Sequence, residues 1–354
     1  MKTPRPSPRR LAFIVALHAL LPFSLPAQST PATAAAAAPT RAPADGPFLP
    51  APALPGGLVL ALYPADSPQL KRDRLHESEN YNSTSGGVAL GGRVQSTLNI
   101  HNPSIEVHLA SGRYSNGAAV IIAPGGGHKI LWVGPEGLDF VPYFAQYGVS
   151  TIVLRNRLRV DGYDAKVDAV NDAFQAIRIV RAHAAEWKLD PAKIGFIGFS
   201  AGAELAAPAA LFFDEYQRKN GAPGDTLAKV SARPDFVGLL YPGPTPFAKG
   251  ETPAIPTNVP PTFIACAGSG DRVHAVWATE YFTPMLQRGV PNLEMHIYGC
   301  GTHGGGLKYR DGIPLGTWQD RFMDWFRDLG FLGKPGVETK AATDVAAFAQ
   351  KKTP

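Results

Sequence analysis

Cysteine is nearly absent: Cys266 and Cys300 are the only two in 354 residues. Two thiols in a chain of this size are no disulfide framework, and no His/Cys/Asp set has the spacing of a metal site such as His-Glu-x-x-His. A single bridge between the two stays open, because both fall at the ends of neighbouring strand-like runs. Charge is sparse as well, at 18% of residues, and no Lys/Arg-rich run carries interleaved aromatics. The net charge of +5 owes most of its excess to Lys2, Arg5, Arg9 and Arg10, in a ten-residue start without an acid. Beyond that start the chain is close to neutral, so its basic pI gives no electrostatic footprint for nucleic acid. The apolar run from Leu11 to Leu25, broken near its end by Pro22 and Ser24, is too short to span a bilayer comfortably. No stable membrane partner is expected.

The basic start, the apolar run and the small-residue exit "PAQST" predict a signal peptide over residues 1–29, and with it a secreted or periplasmic protein. The Arg9-Arg10 pair leaves twin-arginine export open. Residues 30–55 are Ala/Pro-rich and read as a linker. A globular domain is expected over 56–333 and a tail over 334–354. With 45% hydrophobic residues, the chain can bury a large core.

Within the domain, "GLVLALY", "SIEVHLA", "AAVIIAP", "VSTIVLR", "KIGFIGF", "DFVGLLYP", "PTFIACAG" and "LEMHIYG" read as strands. Several are apolar throughout rather than alternating, which suits strands covered on both faces of a mostly parallel sheet. Between them, Val167, Val170, Phe174, Ile177 and Ala184 mark one apolar helix face. "AVWATEYFTPMLQRG" and "TWQDRFMDWFRDLGF" predict two further helices, with Gly289 and Gly330 as C-terminal stops. Strands alternating with helices predict a doubly wound α/β sheet with helices on both faces, and such sheets bind ligands at the carboxyl ends of their strands.

That end of the sheet collects the residues with chemical potential. Ser200 stands between Gly198 and Gly202 where a strand hands over to a helix, a turn whose crowding demands small residues two positions to either side. A helix cap is the plainer role for such a serine. A serine nucleophile would need a base oriented by an acid, and both follow in the loops after the last two strands: Asp271 in "SGDRVH", His303 in "CGTHGGG". His274 and His128 are rival bases; Glu136 and Asp235 are rival acids. "APGGGHK" follows an earlier strand, and backbone N–H groups of Gly126 and Gly127, with that of Ala201, could hold an oxyanion. The glycines lack the Gly-Lys-Ser/Thr of a phosphate loop, so no nucleotide is expected, and no cofactor or metal.

These stretches, with "GPEG", "FAQYGVSTIVLRNRL", "DAFQAIRIVRAHAAEWKLDPAKIGFIGFSAG" and "RPDFVGLLYPG", resemble α/β-hydrolase esterases related to acetylxylan esterases and to bifunctional acetyl/feruloyl carbohydrate esterases. The resemblance runs from about residue 100 to 330. It implies a secreted serine esterase acting on small-molecule or saccharide esters, with Ser200, Asp271 and His303 as triad and "PGGG" as oxyanion loop. Three places depart from that family's pattern: Ala203-Glu204 after Gly202, His128 after the triple glycine, and "SGDRVH" around the acid. A prolyl-oligopeptidase-like peptidase and a catalytically silent binding protein are the alternatives.

Overall fold

The computed structural model describes residues 46–83, 93–111, 115–220, 225–307, 314–333 and 340–350, all within one compact unit. The expected signal peptide and most of the expected linker lie outside them.

Among the described residues, ten strands form two sheets. In chain order they are β1 (Leu58–Ala61), β2 (Asn80–Ser83), β3 (Val94–Leu98), β4 (Ser104–His108), β5 (Ala119–Ala123), β6 (Ser150–Arg155), β7 (Ile194–Phe199), β8 (Val237–Leu240), β9 (Thr262–Ala267) and β10 (Glu294–Tyr298). Eight pair in the order β1-β4-β6-β5-β7-β8-β9-β10. The six from β6 to β10 are parallel, while β1 and β4 close one side antiparallel. From β5 the chain steps first to β6 on one side, then to β7 on the other. The order reverses there, and a crevice opens beyond the carboxyl ends of β5 and β7. Ala123 and Gly198 are register partners at that mouth.

The helices are α1 (Phe140–Ala145), α2 (Asp168–Ala182), α3 (Ala203–Leu211), α4 (Phe213–Asn220), α5 (Arg272–Gln287), α6 (Trp318–Asp328) and α7 (Lys340–Ala349). Helix α2 buries Val170, Phe174 and Ile177 as expected, but Val167 stands ahead of the helix and is 54% exposed. Helix α3 is almost wholly apolar, and of its nine residues only Glu204 and Pro208 are not buried. It leaves the end of β7 and packs against β7, β8 and α2, where small alanines let it approach closely. Gly289 and Gly330 both take left-handed angles just past α5 and α6, as helix stops do. Among the described residues, no helix is long and apolar enough to cross a membrane.

The β2–β3 hairpin falls in a polar stretch whose sequence carries no strand pattern. Its pairing is set by tertiary contact: Thr97 and Leu131 exchange backbone hydrogen bonds of 2.9 and 2.8 Å, fastening the hairpin to the segment after the triple glycine. Residues 46–55, composed like a linker, are also tied down. The amides of Ala53 and Leu54 donate to Glu106 at 3.0 Å each, and Phe48 bonds to Leu75. The expected tail carries α7, whose Phe348 is buried. Both cysteines are free: Cys266 is buried in β9 and Cys300 is exposed. Burial, helped by the Asp271 charge, pushes the Cys266 thiol up to about 12.

Candidate active site

Ser200, Asp271 and His303 each stand just past the carboxyl end of a strand, β7, β9 and β10 in turn. Ser200 follows β7 directly, at φ +52°, a left-handed angle that an L-residue holds only where its surroundings enforce it. The enforcement is visible at the flanking glycines. A Cβ on Gly198 would fall 2.2 Å from the carbonyl oxygen of Gly202, and one on Gly202 would fall 2.0 Å from that of Ala123. The strand-to-helix turn therefore closes only with glycine at both positions. His128, after β5, and Tyr241, after β8, also have positive φ (58° and 38°), so strained backbone gathers around one crevice.

Ser200, His303 and Asp271 meet there. Ser200 Oγ lies 2.8 Å from His303 Nε2, and His303 Nδ1 lies 2.8 Å from Asp271 Oδ2. Asp271 is buried and Ser200 half-buried. The cleft in front has a volume of about 620 Å³, and its walls include Gly126, Gly127, Trp132, Glu136, His274 and the Gly304–Gly305 pair. Gly126 (φ +131°) and Gly127 (φ +64°) hold angles open to glycine. Ala201 begins the helical stretch beyond Ser200, where the helix dipole favours negative charge.

The rival bases and acids have other partners. His128 is buried with its Nε2 3.2 Å from Glu204 Oε2. Two departures from the resembled family's pattern thus touch each other, tying the triple-glycine loop to the first turn of α3. Asp235 precedes β8, at the amino end of the sheet, where it pairs with Arg181 (2.8 Å) and Arg233 (3.3 Å). Glu136 does line the cleft, yet its carboxylate serves three loops. It accepts from the Gly125 amide and the Tyr241 hydroxyl, both at 2.8 Å, and from the backbone of Gly305. Burial pushes the Glu136 carboxyl above the ordinary range, with those hydrogen bonds and the nearby His303 pulling the other way. Tyr241 carried no sequence signal of its own; only the fold brings it under the site.

His274 sits in the first turn of α5 with Nδ1 2.5 Å from Asp271 Oδ1. Asp271, His274 and His303 place ligand-type atoms within 4.8 Å of one another. Both rings direct Nδ1 at the carboxylate, however, so these atoms form a closed hydrogen-bonded group rather than an open coordination shell.

A mostly parallel sheet covered by helices, with a serine on the strand-to-helix turn at its switch point, is the α/β-hydrolase fold. Comparison with known proteins narrows the class. Residues 142–239 match the BD-FAE family. An acetylxylan esterase of Xylanibacter ruminicola is 25% identical over 236 residues, 57% of this chain and 45% of that protein. An endo-1,4-beta-xylanase B of Butyrivibrio fibrisolvens is 28% identical over 124 residues, 35% and 19% of the two chains. The chain thus spans less than half the length of either relative. Among solved structures, an acetyl ester-xyloside bifunctional hydrolase from Caldicellulosiruptor lactoaceticus superposes with a TM-score of 0.58 at 27% identity, over 66% of this chain and 90% of that one. A thermophilic esterase of Thermogutta terrifontis gives 0.54 at 22% identity, over 68% and 91%, a likeness of fold. The chain is similar to α/β-hydrolase esterases.

Proposed function

We propose that this protein is a serine esterase that cleaves carboxylic esters through an acyl-enzyme, with acetyl or feruloyl esters of plant-type saccharides as its substrates. The observation that carries the reading is the unbroken chain from Ser200 Oγ through the His303 ring to Asp271, opening on a cleft walled by Gly126 and Gly127. His303 takes the Ser200 proton as Oγ attacks the ester carbonyl, and Asp271 holds the imidazole tautomer that can accept it. Charge developing on the carbonyl oxygen falls to the N–H groups of Gly126, Gly127 and Ala201. The imidazolium then gives its proton to the departing alkoxide, releasing an alcohol and leaving the acyl group on Ser200. A water, deprotonated by the same imidazole, attacks that acyl group; the Oγ–acyl bond breaks, the imidazolium returns its proton to Ser200 Oγ, and the carboxylic acid leaves. Saccharide substrates are supported by the acetylxylan esterase and acetyl ester-xyloside hydrolase among the similar proteins. Trp132 agrees with them, standing 39% exposed on the cleft wall, where an aromatic face can stack on a sugar ring. The signal-peptide pattern of residues 1–29 supports a secreted or periplasmic location.

Ser200→Ala should reduce turnover of p-nitrophenyl acetate to below about a hundredth of the parent and abolish labelling by a fluorophosphonate probe. Retained turnover would refute the role of Ser200. A panel of acetylated and feruloylated saccharides beside an aminoacyl anilide assigns the substrate, and preference for the anilide would turn the reading toward a peptidase.

A further inference from the structure

Asp271 serves two imidazoles. Besides His303 on Oδ2 it holds His274 on Oδ1, and the two rings stack with centroids 3.7 Å apart and planes 23° from parallel. Trp277 meets the outer ring edge-on, centroids 5.1 Å apart, and His274 shares the cleft wall with Ser200 and His303. Serine attack needs one base and one orienting acid, so the second imidazole is left without a task in that scheme.

We propose that His274 is a positioning residue for the base: its hold on Oδ1 and its cover over one ring face keep His303 directed at Ser200 and available at lower pH. This rests on His303 being the base of the proposed reaction. A carboxylate shared between two N–H donors has less charge to offer each. The imidazolium that forms on His303 is then stabilised less than it would be beside an undivided Asp271. For His274 to donate to Asp271 without adding a charge beside His303 it must be neutral, and burial favours that. Burial pushes its pKa down, His303 acts in the same direction, and Asp271 and Glu204 oppose. The other groups facing the pair are Glu136, whose carboxylate interacts with His303, and Tyr241, edge-on to His303 with centroids 5.1 Å apart. Both stay in place when His274 alone is changed.

The test is the pH profile of kcat/KM for p-nitrophenyl acetate. His274→Phe and His274→Leu both remove the donor to Oδ1, and either one that folds serves. Their acid limb should move to higher pH by about half a unit or more. His274→Asn, which restores a short N–H donor, should bring it at least halfway back. An acid limb within about 0.2 units of the parent in the donor-less variant, or displaced to lower pH, overturns the proposal. Ser200→Ala run alongside separates the two levels. If it stays active, the serine-esterase reading fails; if it is inactive while the limb does not move, only the role of His274 fails.

Discussion

Gly126 stands at φ +131°, and an added Cβ would fall 1.9 Å from the carbonyl oxygen of Ile130. Backbone, not a flexible side chain, blocks the space, so any substitution must move the loop. Gly126→Ala is therefore expected to lower kcat for p-nitrophenyl acetate by roughly a hundredfold, the cost of misplacing one oxyanion donor. The melting temperature should fall as well, because an L-residue is strained at this φ and the loop must shift to admit its Cβ. Steady-state kinetics beside a thermal melt check this, and a kcat within about threefold of the parent would remove Gly126 from the proposed site. The same scale shows why Ser200 was legible in sequence and Tyr241 was not. The serine needs glycines at fixed offsets along the chain. The tyrosine needs only to sit under the cleft, a matter of folding.

The segment Gly134–Leu138 is a wide helical turn that delivers Glu136 to three loops, those bearing Gly125, Tyr241 and Gly305. One carboxylate thereby fixes the ends of β5, β8 and β10 relative to one another. Since burial raises its pKa, the folded protein keeps the Glu136 proton to higher pH than the unfolded chain does. The unfolded state then binds fewer protons, and the contribution to stability falls as pH rises from about 4.3, the unperturbed value, through the raised one. Glu136→Gln lacks this titration. The stability of wild type minus variant, from urea midpoints at several pH values, should shrink as pH climbs through that window. A difference that grows instead would mean the carboxylate is favoured by the fold. The eight strands of the main sheet could be read from their apolar runs, and α2, α5 and α6 from their periodicity. The β2–β3 hairpin could not, because Asn80–Ser83 is polar and takes its strand form from pairing with Val94–Leu98.

Across the whole molecule, two buried arginines, one the last residue of β6 and one just past it, bind the sheet to its surroundings. Arg157, 1% exposed, donates to Asp172 of α2 at 2.7 Å, to the carbonyl oxygen of Gln69 at 2.6 Å and to that of Asp168 at 3.0 Å. Arg155 donates to Glu106 at 2.6 Å, and Glu106 also holds Ala53 and Leu54. For Glu106 burial works toward a higher pKa, but His108, Arg155 and the two amides outweigh it and hold the carboxyl below its ordinary value. Asp172→Asn removes the buried counter-charge and leaves Arg157 only the partly exposed Asp168 carboxylate, 3.3 Å away, and should destabilise by about 3 kcal/mol, the lower end of the cost of breaking a buried pair. Equilibrium urea unfolding measures this, and a loss below about 1 kcal/mol would show that Asp168 and the backbone carbonyls hold Arg157 without Asp172.

The sequence by itself determined the alternation of strands and helices, the glycine-flanked serine on its turn, and the order in which serine, acid and histidine leave the strands. These are local or sequential properties, written in spacing and steric demand. Only the tertiary structure decided which histidine faces Ser200, since His128, His274 and His303 are alike as residues and differ in what the fold sets beside them. It likewise gave Glu136 to three loops and Glu204 to His128. Hydrogen bonds between groups far apart in the chain follow from how the strands are ordered in the sheet, and no short-range pattern records that order.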